Sequence, residues 1–169
     1  FLVQGKFSVG DEVEIRPGIL VKNSYRSLRT VVAGLEKGRV NVKDAGPGGL
    51  LGLMTELDPS LTKSDGLVGN VVGFPEKLPK VMNSLDLELH LLERVVGAKE
   101  LASVEPIRVN ETLLVNTGTS MSVGNVVSTK RDAIQLNLKI PVCANANDRV
   151  VISREIQGRW RLVGYGIIR

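Results

Sequence analysis

Leucine occupies every second position of the segment Leu85–Leu91, and the positions between are polar: Asp86, Glu88 and His90. Successive side chains of a β-strand point to opposite faces, so this spacing gives one apolar face and one polar face. A helix would spread the same leucines around its axis. The segment therefore predicts a β-strand with one face in a core, and it places the chain's only histidine on the opposite, solvent-facing side.

A second alternating segment lies near the start of the chain. Val13 and Ile15 alternate there with charged residues, among them Glu14. The same period predicts that both apolar side chains are buried and that Glu14 faces water. The dipeptide Pro17-Gly18 is typical of a turn, and we expect it to end this strand.

The rest of the chain has the pattern of short strands separated by turns. Glycine contributes 18 of the 169 residues, which favours turns and short strands over long helices. Further strands are predicted at Arg29–Leu35, Arg39–Val42, Leu50–Met54, Leu67–Val72, Leu113–Asn116, Val123–Ser128, Ile134–Leu138, Val150–Ser153 and Trp160–Ile168. So many short strands leave exposed edges unless the sheets close on themselves. The predicted fold class is all-β, with two consecutive antiparallel β-barrels.

The segment Pro75–Pro79 has the composition of a domain boundary, because it combines two prolines with charged residues after a strand. We expect a first barrel over residues 1–76 and a second over residues 77–169. The chain begins at Phe1 rather than Met, and we expect the first strand of the leading barrel to be missing.

The last predicted strand alternates basic and apolar residues before it reaches two glycines. Arg159 and Arg161 share one face, and we expect Trp160 between them to be buried. Gly164 and Gly166 also share a face, which leaves a bare strip where a neighbouring backbone can approach closely. Such strips are typical of the place where a barrel closes.

Composition and missing motifs exclude several function classes. Lys and Arg number 22 against 18 Asp and Glu, a formal net charge of +4, which is compatible with nucleic-acid binding without being diagnostic. Cys143 is the only cysteine, so an internal disulfide is excluded and a small buried side chain is expected. The chain has no Gly-x-x-x-x-Gly-Lys-Ser/Thr motif and one histidine, so it carries neither a P-loop nor a histidine-based triad or histidine-pair metal site.

The same observations bear on localisation. No run approaches the about 20 apolar residues that a membrane helix needs. A single cysteine fits a reducing compartment. We therefore expect a cytoplasmic protein with no membrane partner.

Three groups of residues carry a resemblance to a known family. The first group combines Ala45-x-Pro-Gly-Gly-Leu, Leu57-Asp-Pro-Ser-Leu-Thr-Lys and Leu67-Val-Gly. The second is Leu91-Leu-Glu-Arg-Val-Val-Gly, and the third is Gly158-Arg-Trp-Arg-Leu-Val-Gly-Tyr-Gly. In this order they resemble the second and third domains of the gamma subunit of archaeal or eukaryotic translation initiation factor two.

The resemblance implies a GTPase subunit whose nucleotide lies outside this chain. Family members bind GTP and Mg²⁺ in an N-terminal domain, so this chain is expected to hold no cofactor, no metal and no catalytic site. The family joins alpha and beta subunits, binds initiator methionyl-tRNA and delivers it to the small ribosomal subunit in a GTP-dependent manner. By resemblance, the first barrel contributes a pocket for the tRNA acceptor end and docks the alpha subunit, and the second packs on the GTPase domain.

The residues of that pocket follow from the second barrel of elongation factor Tu, a relative of the gamma subunit. The segment Gly34-Leu-Glu-Lys-Gly-Arg matches its Gly-x-Glu-x-x-Arg spacing. The resemblance implies that Glu36 accepts hydrogen bonds from the terminal ribose hydroxyls and that Arg39 contacts a phosphate. The adenine would need an apolar slot, for which the candidates come from two segments: Gly5, Leu51 and Leu53. The alternative interpretation of Glu36 and Arg39 is a surface ion pair on a loop.

Arginine is concentrated near the end of the chain. Arg149 and Arg154 are candidates for contacts to an RNA backbone, which would make binding strongly salt-dependent. The alternative is that these arginines belong to ordinary solvated strand faces. For Arg159 and Arg161 the second interpretation is favoured.

Two other functions remain open. One is another translational GTPase, such as the selenocysteine-specific elongation factor, although Leu57–Lys63 and Gly158–Leu162 favour the initiation factor. The other is a protein-interaction scaffold whose barrels contact no RNA.

Overall fold

The computed structural model describes residues 2–97 and 103–169, and it divides the chain into two compact units, Phe1–Leu78 and Pro79–Arg169. The strands of these residues, in chain order, are β1 (Phe7–Ser8), β2 (Glu12–Val21), β3 (Ser24–Lys37), β4 (Val40–Val42), β5 (Asp44–Ala45), β6 (Leu51–Thr55), β7 (Val71–Gly73), β8 (Lys80–Leu91), β9 (Thr112–Thr117), β10 (Ser120–Lys130), β11 (Ala133–Ala144), β12 (Arg149–Ile156) and β13 (Arg159–Ile168). A 3-10 helix, Pro59–Asp65, lies between β6 and β7. The all-β prediction is confirmed, with one closed barrel and one half-barrel sheet.

The second unit is a closed barrel of six antiparallel strands in the order β10-β11-β8-β13-β12-β9. Its core contains the alternating leucines: Leu85 and Leu87 are fully buried, and Leu89 and Leu91 pack against the same cluster. Burying a leucine side chain completely is worth about 1.5–3 kcal/mol relative to leaving it exposed. The alternation of β8 therefore predicted the core face correctly.

The bare strip of β13 lies where this strand pairs with β8. A Cβ added to Gly164 would clash with the carbonyl oxygen of His90 and would lie 3.0 Å from the Cα of Leu91. A Cβ added to Gly166 would lie 2.8 Å from the Cβ of Leu87. Real Cβ atoms do not approach so closely, so this seam of the barrel depends on both glycines.

Two single side chains of the barrel lie as the sequence predicts. Cys143 is buried. His90 lies on the outer face of β8, where its ring stacks on that of Tyr165 with 4.8 Å between the centroids. Its Nε2 is 3.1 Å from Oε1 of Glu88.

The prediction that Trp160 is buried is wrong, because 40% of this residue is exposed. The pairing of β13 with β12 shifts register between Ile152 and Ser153. Such a bulge reverses the alternation of the strand. In a regular strand, Trp160 would lie on the same face as Gly164. The bulge places Trp160 on the opposite face instead.

The first unit contains a five-stranded sheet in the order β4-β3-β2-β7, with β6 also paired to β3. Strands β1 and β5 form a separate antiparallel pair. Among the described residues of this unit, the sheet remains open. Its core is a cluster of five buried apolar side chains: Phe7, Val13, Val32, Leu35 and Ala45.

Strand β2 does not end at Pro17-Gly18, in contrast to the prediction. Its register with β3 shifts between Ile15 and Ile19, and the strand then resumes. The backbone N–H of Gly18, which has φ +88°, donates a 2.7 Å hydrogen bond to Oδ1 of Asn70. The dipeptide is therefore a bulge inside the strand.

Glu14 is buried with 3% exposure, although the alternation predicts that it faces water. Nη2 of Arg16, two residues along the same strand, lies 2.9 Å from its Oε2. Arg16 also donates from Nη1 to the carbonyl of Leu78 at 3.3 Å. A carboxylate is tolerated in such a place because it is paired. The hydrogen bond from Arg16 lowers the pKa of Glu14 below its ordinary value, against the opposing effect of burial.

The depressed pKa of Glu14 gives a stability that depends on pH. The charged form stabilises the fold above the unfolded-state pKa of about 4.3, and this contribution is lost as the pH falls through the lower folded-state pKa. In urea denaturation we expect the Glu14→Gln variant to lose less stability than the wild type between about pH 5 and pH 2. Glu12→Gln, at the exposed first residue of the same strand, should keep the wild-type dependence. Identical pH profiles for all three proteins would contradict the lowered pKa of Glu14 as the source of this pH dependence.

The seam glycine gives a second test. Gly164→Ala forces β8 and β13 apart, so we expect the free energy of unfolding to fall by about 1–3 kcal/mol, measured by chemical denaturation. Gly46→Ala is the control, since a Cβ at Gly46 meets no atom within 4 Å. Equal denaturation midpoints for the two variants would show that the barrel does not depend on the close approach.

Candidate nucleic-acid interface

Glu36 and Arg39 are carried by the hairpin that joins β3 to β4. Only Gly38 and Arg39 separate the two strands, and their φ angles are +60° and +65°. Positive φ at both central positions is typical of a type I′ turn, which matches the twist of the strands it joins. The length of the turn sets the register, so Glu36 lies directly opposite Asn41.

Glu36 occupies the middle of a row that crosses three strands. Its partners are Asn41 of β4 on one side and Gly52 of β6 on the other. Opposite residues of a sheet share a face, so the carboxylate has an exposed amide on one flank. A Cβ added to Gly52 would lie 3.2 Å from the Cβ of Glu36. The other flank is therefore bare backbone.

Neither Glu36 nor Arg39 forms an ion pair with another described residue, and both are exposed. The surface ion pair that was the alternative interpretation is not formed in this part of the chain. An unpaired carboxylate offers only acceptors, and a guanidinium offers only donors. The hairpin therefore presents to solvent the two groups that a ribose and a phosphate require.

The structure does not bring the proposed apolar slot to the same face as Glu36. Leu53 lies opposite the buried Leu35, and Leu51 and Leu53 both pack against the core cluster of the first unit. Their side chains therefore point away from the face that carries Glu36. Gly5 lies in an exposed segment before β1. A role of these three residues in RNA binding stays a prediction.

Arg154 has partners on all three nitrogens of its guanidinium. Nε pairs with Oε1 of Glu111, and Nη2 lies 3.2 Å from Oε2 of the same carboxylate. Nη1 and Nη2 donate to the carbonyls of Glu105 and Pro106 at 3.0 and 3.2 Å. The side chain therefore ties the segment before β9 to β12. Its proposed contact with an RNA backbone stays a prediction, and the visible contacts are structural.

Arg149 remains at the surface of the barrel. Its guanidinium carbon lies 4.6 Å from the centroid of the Tyr165 ring, a cation–π contact that leaves the charge exposed. Of the two arginines predicted to contact RNA, Arg149 is the one that the fold presents to solvent.

The residues that sequence reasoning missed differ in how they could have been found. Asn41 and Gly52 flank Glu36 through strand pairing. Asn41 could have been predicted, because a two-residue turn at Gly38 and Arg39 sets the register that pairs it with Glu36. Glu111 lies 43 residues from Arg154, and no local pattern connects them.

The residues from 2–97 and 103–169 contain no group of three or more His, Cys, Asp and Glu side chains that could hold a metal ion. None of the helical structure in these ranges has the length and apolar character needed to cross a membrane.

The fold and the hairpin define an antiparallel all-β protein with one closed barrel, one half-barrel sheet and an exposed polar site. A sequence model of the family described as "Initiation factor eIF2 gamma, C terminal" matches residues 83–168. The chain belongs to this family, the gamma subunit of translation initiation factor 2.

Individual relatives carry the similarity over nearly all of the chain. The "Translation initiation factor 2 subunit gamma" of Pyrococcus horikoshii is 53% identical over 172 residues. Proteins of the same name from Methanothermobacter thermautotrophicus and Methanococcus maripaludis are 50% identical over 172 residues and 48% identical over 171 residues. Each alignment covers 99% of this chain and 42% of the relative. The chain therefore spans less than half the length of the relatives it matches.

The clamp formed by Arg154 can be tested by stability. Arg154→Ala leaves the Glu111 carboxylate with the backbone N–H of Arg108 but without its charged partner, so we expect a loss of about 1.5–3 kcal/mol in the free energy of unfolding. Arg159→Ala, at an exposed position, should change it by less than about 0.5 kcal/mol. Chemical denaturation of both variants measures the difference, and equal losses would contradict a structural role specific to Arg154.

Proposed function

We propose that this chain is the part of an initiation factor gamma subunit that receives the acceptor end of initiator methionyl-tRNA. The observation that carries the proposal is the exposed Glu36, unpaired among the described residues, beside the bare backbone of Gly52, with Arg39 in the adjoining turn. This arrangement joins an acceptor for hydroxyls, a donor for phosphate and room for a ligand in one hairpin.

The chemistry of each group suits a tRNA end. A ribose 2′-hydroxyl distinguishes RNA from DNA, and a carboxylate accepts its proton in a hydrogen bond. A guanidinium binds phosphate oxygens in a bidentate manner. Glu36 would therefore fix the terminal sugar, and Arg39 would hold the phosphate beside it.

We do not place GTP or Mg²⁺ in this chain. The sequence lacks the Gly-x-x-x-x-Gly-Lys-Ser/Thr motif, and the described residues hold no cluster of metal ligands. We assign nucleotide binding to the part of the full-length protein outside this chain, since the relatives are more than twice its length. In the same proposal, the full-length subunit works in the cytoplasm, joins alpha and beta subunits and delivers the tRNA to the small ribosomal subunit when GTP is bound.

The proposal is tested with Glu36→Ala and Arg39→Ala in the full-length factor. Each variant loses a charge-assisted hydrogen bond of about 1.5–3 kcal/mol, so we expect binding of initiator tRNA to weaken about tenfold or more. Arg39→Ala should also lower the slope of log K against log salt by about one unit. Filter binding or fluorescence titration at several salt concentrations measures both effects.

Matched controls come from the same unit. Glu12→Ala and Arg26→Ala remove the same kinds of charge at exposed positions of β2 and β3, and they should leave tRNA binding within about twofold. Binding of the alpha subunit should stay unchanged in all four variants. Unchanged tRNA affinity for Glu36→Ala and Arg39→Ala would refute the RNA role and favour barrels that serve as a protein-interaction scaffold.

A further inference from the structure

The hairpin between β2 and β3 lies in a long stretch of sequence without a carboxylate. Between Ile15 and Leu35 the chain contains Arg16, Lys22, Arg26 and Arg29 but neither Asp nor Glu. Each residue of the segment 22–27 has a side chain that can donate a hydrogen bond, in the order Lys, Asn, Ser, Tyr, Arg and Ser. We call this hairpin, residues 19–29, the basic ribbon.

The tip of the basic ribbon is a tight turn. Lys22 and Asn23 join the two strands, and their φ angles are +46° and +68°, as in a type I′ turn. The hydroxyl of Ser24 donates a 3.1 Å hydrogen bond to the carbonyl of Val21 across the turn. Both turn residues are exposed, so the tip presents an ammonium group and an amide to solvent.

Beyond the bulge at Pro17-Gly18, the basic ribbon consists of two strands only. Residues 19–21 pair with residues 24–26, and in the part of the chain that the structure describes no third strand pairs with either segment. The N–H of Gly18 is bound by Asn70, and a Cβ added to Gly18 would clash with the carbonyl oxygen of Arg26. The base of the ribbon is therefore fixed to the sheet, while its far end is free on both edges.

The charges of the basic ribbon are available to a ligand. Lys22 and Arg26 are exposed, and neither forms an ion pair with another residue of the ranges 2–97 and 103–169. Arg29 is exposed as well and lies opposite Glu14, whose carboxylate already binds Arg16. The ribbon thus carries positive charge and side-chain donors without a carboxylate of its own.

A nucleic-acid backbone has the chemistry that such a surface binds. Side chains of Arg, Lys, Ser, Asn and Tyr are the usual donors to phosphate oxygens in protein–nucleic acid complexes. Neutralising phosphates with Lys and Arg releases condensed counterions, which makes this kind of binding favourable and salt-dependent. The mixture of charged and neutral donors therefore favours a row of phosphates as the ligand.

The position of the basic ribbon separates it from the candidate site for the tRNA end. Strand β3 has 14 residues, and at about 3.3 Å per residue it spans up to about 45 Å. The ribbon lies at the beginning of β3, and the hairpin of Glu36 and Arg39 lies at its end. A tRNA end held at Glu36 leaves the ribbon free for a second RNA.

Resting on the proposed function, we propose that the basic ribbon binds the RNA backbone of the small ribosomal subunit. Lys22 and Arg26 supply the charge, and Asn23 adds a neutral donor at the tip. Contacts to phosphates position a protein without reading the sequence of the RNA, so the ribbon orients the factor on the subunit. One strand then connects the tRNA at one end with the ribosome at the other.

The experiment measures binding of the full-length factor, loaded with GTP and initiator tRNA, to purified small ribosomal subunits at several salt concentrations. In the double variant Lys22→Gln/Arg26→Gln we expect the affinity to fall about fivefold or more and the slope of log K against log salt to fall by about two units. The affinity of this variant for free initiator tRNA should stay within about twofold of the wild type. A photo-crosslinking amino acid in place of Leu20, a 60% exposed residue of the ribbon, should attach to ribosomal RNA.

Two further double variants are matched controls. Lys43→Gln/Lys63→Gln removes the same charge at exposed positions of the same unit outside the ribbon, and it should bind the subunit like the wild type. Lys22→Arg/Arg26→Lys keeps both charges of the ribbon, and it should bind within about twofold of the wild type.

Three results would overturn the inference. The first is wild-type affinity and salt slope in Lys22→Gln/Arg26→Gln, and the second is a crosslink from position 20 to a ribosomal protein in place of RNA. The third is an equal loss of affinity for free tRNA, because the ribbon would then contact the tRNA. If the wild-type factor itself does not bind the small subunit, the proposed delivery of tRNA is refuted, whereas each of the three results refutes the ribbon alone.

Discussion

Strand β3 is the element on which both the core and the candidate site of the first unit depend. It pairs with β2 over its first part and with β4 and β6 over its last part. One face buries Val32 and Leu35 in the core, and the other presents Gly34 and Glu36. A slip of one residue in its register would exchange the two faces. The packing of the apolar side therefore fixes the position of the polar side, and no separate loop is needed to hold the carboxylate.

Much of the fold could be predicted because the period of two is read directly from regular strands. It identified the core face of β8 from Leu85 and its neighbours, and the seam at Gly164. It failed where a bulge changes the phase, as for Trp160, or where a bulge continues a strand through a turn-like dipeptide, as at Gly18. It failed again at Glu14, because a pattern of polarity does not show that an arginine on the same strand will cover a carboxylate.

The candidate site could be predicted in part for a related reason. The spacing of Glu36 and Arg39 is local, and the two-residue turn between β3 and β4 places both of them at the surface. The orientation of Leu51 and Leu53 was not evident, since β6 is short and its alternation with glycine and methionine does not show which face is buried. Met54, on the exposed face, is a large apolar side chain like the two leucines that pack inside. Only the pairing of β6 with β3 shows that the leucines are on the buried face and Met54 is on the exposed face.

The partial exposure of Trp160 has a practical consequence. It is the only tryptophan of the chain, and it lies on β13 of the closed barrel. Its fluorescence therefore follows the closed barrel alone, whereas circular dichroism follows the strands of both units. Recording the two signals during one denaturation separates the melting of the half-barrel sheet from that of the barrel. The chain thus contains its own optical label for asking whether its two units unfold together or in sequence.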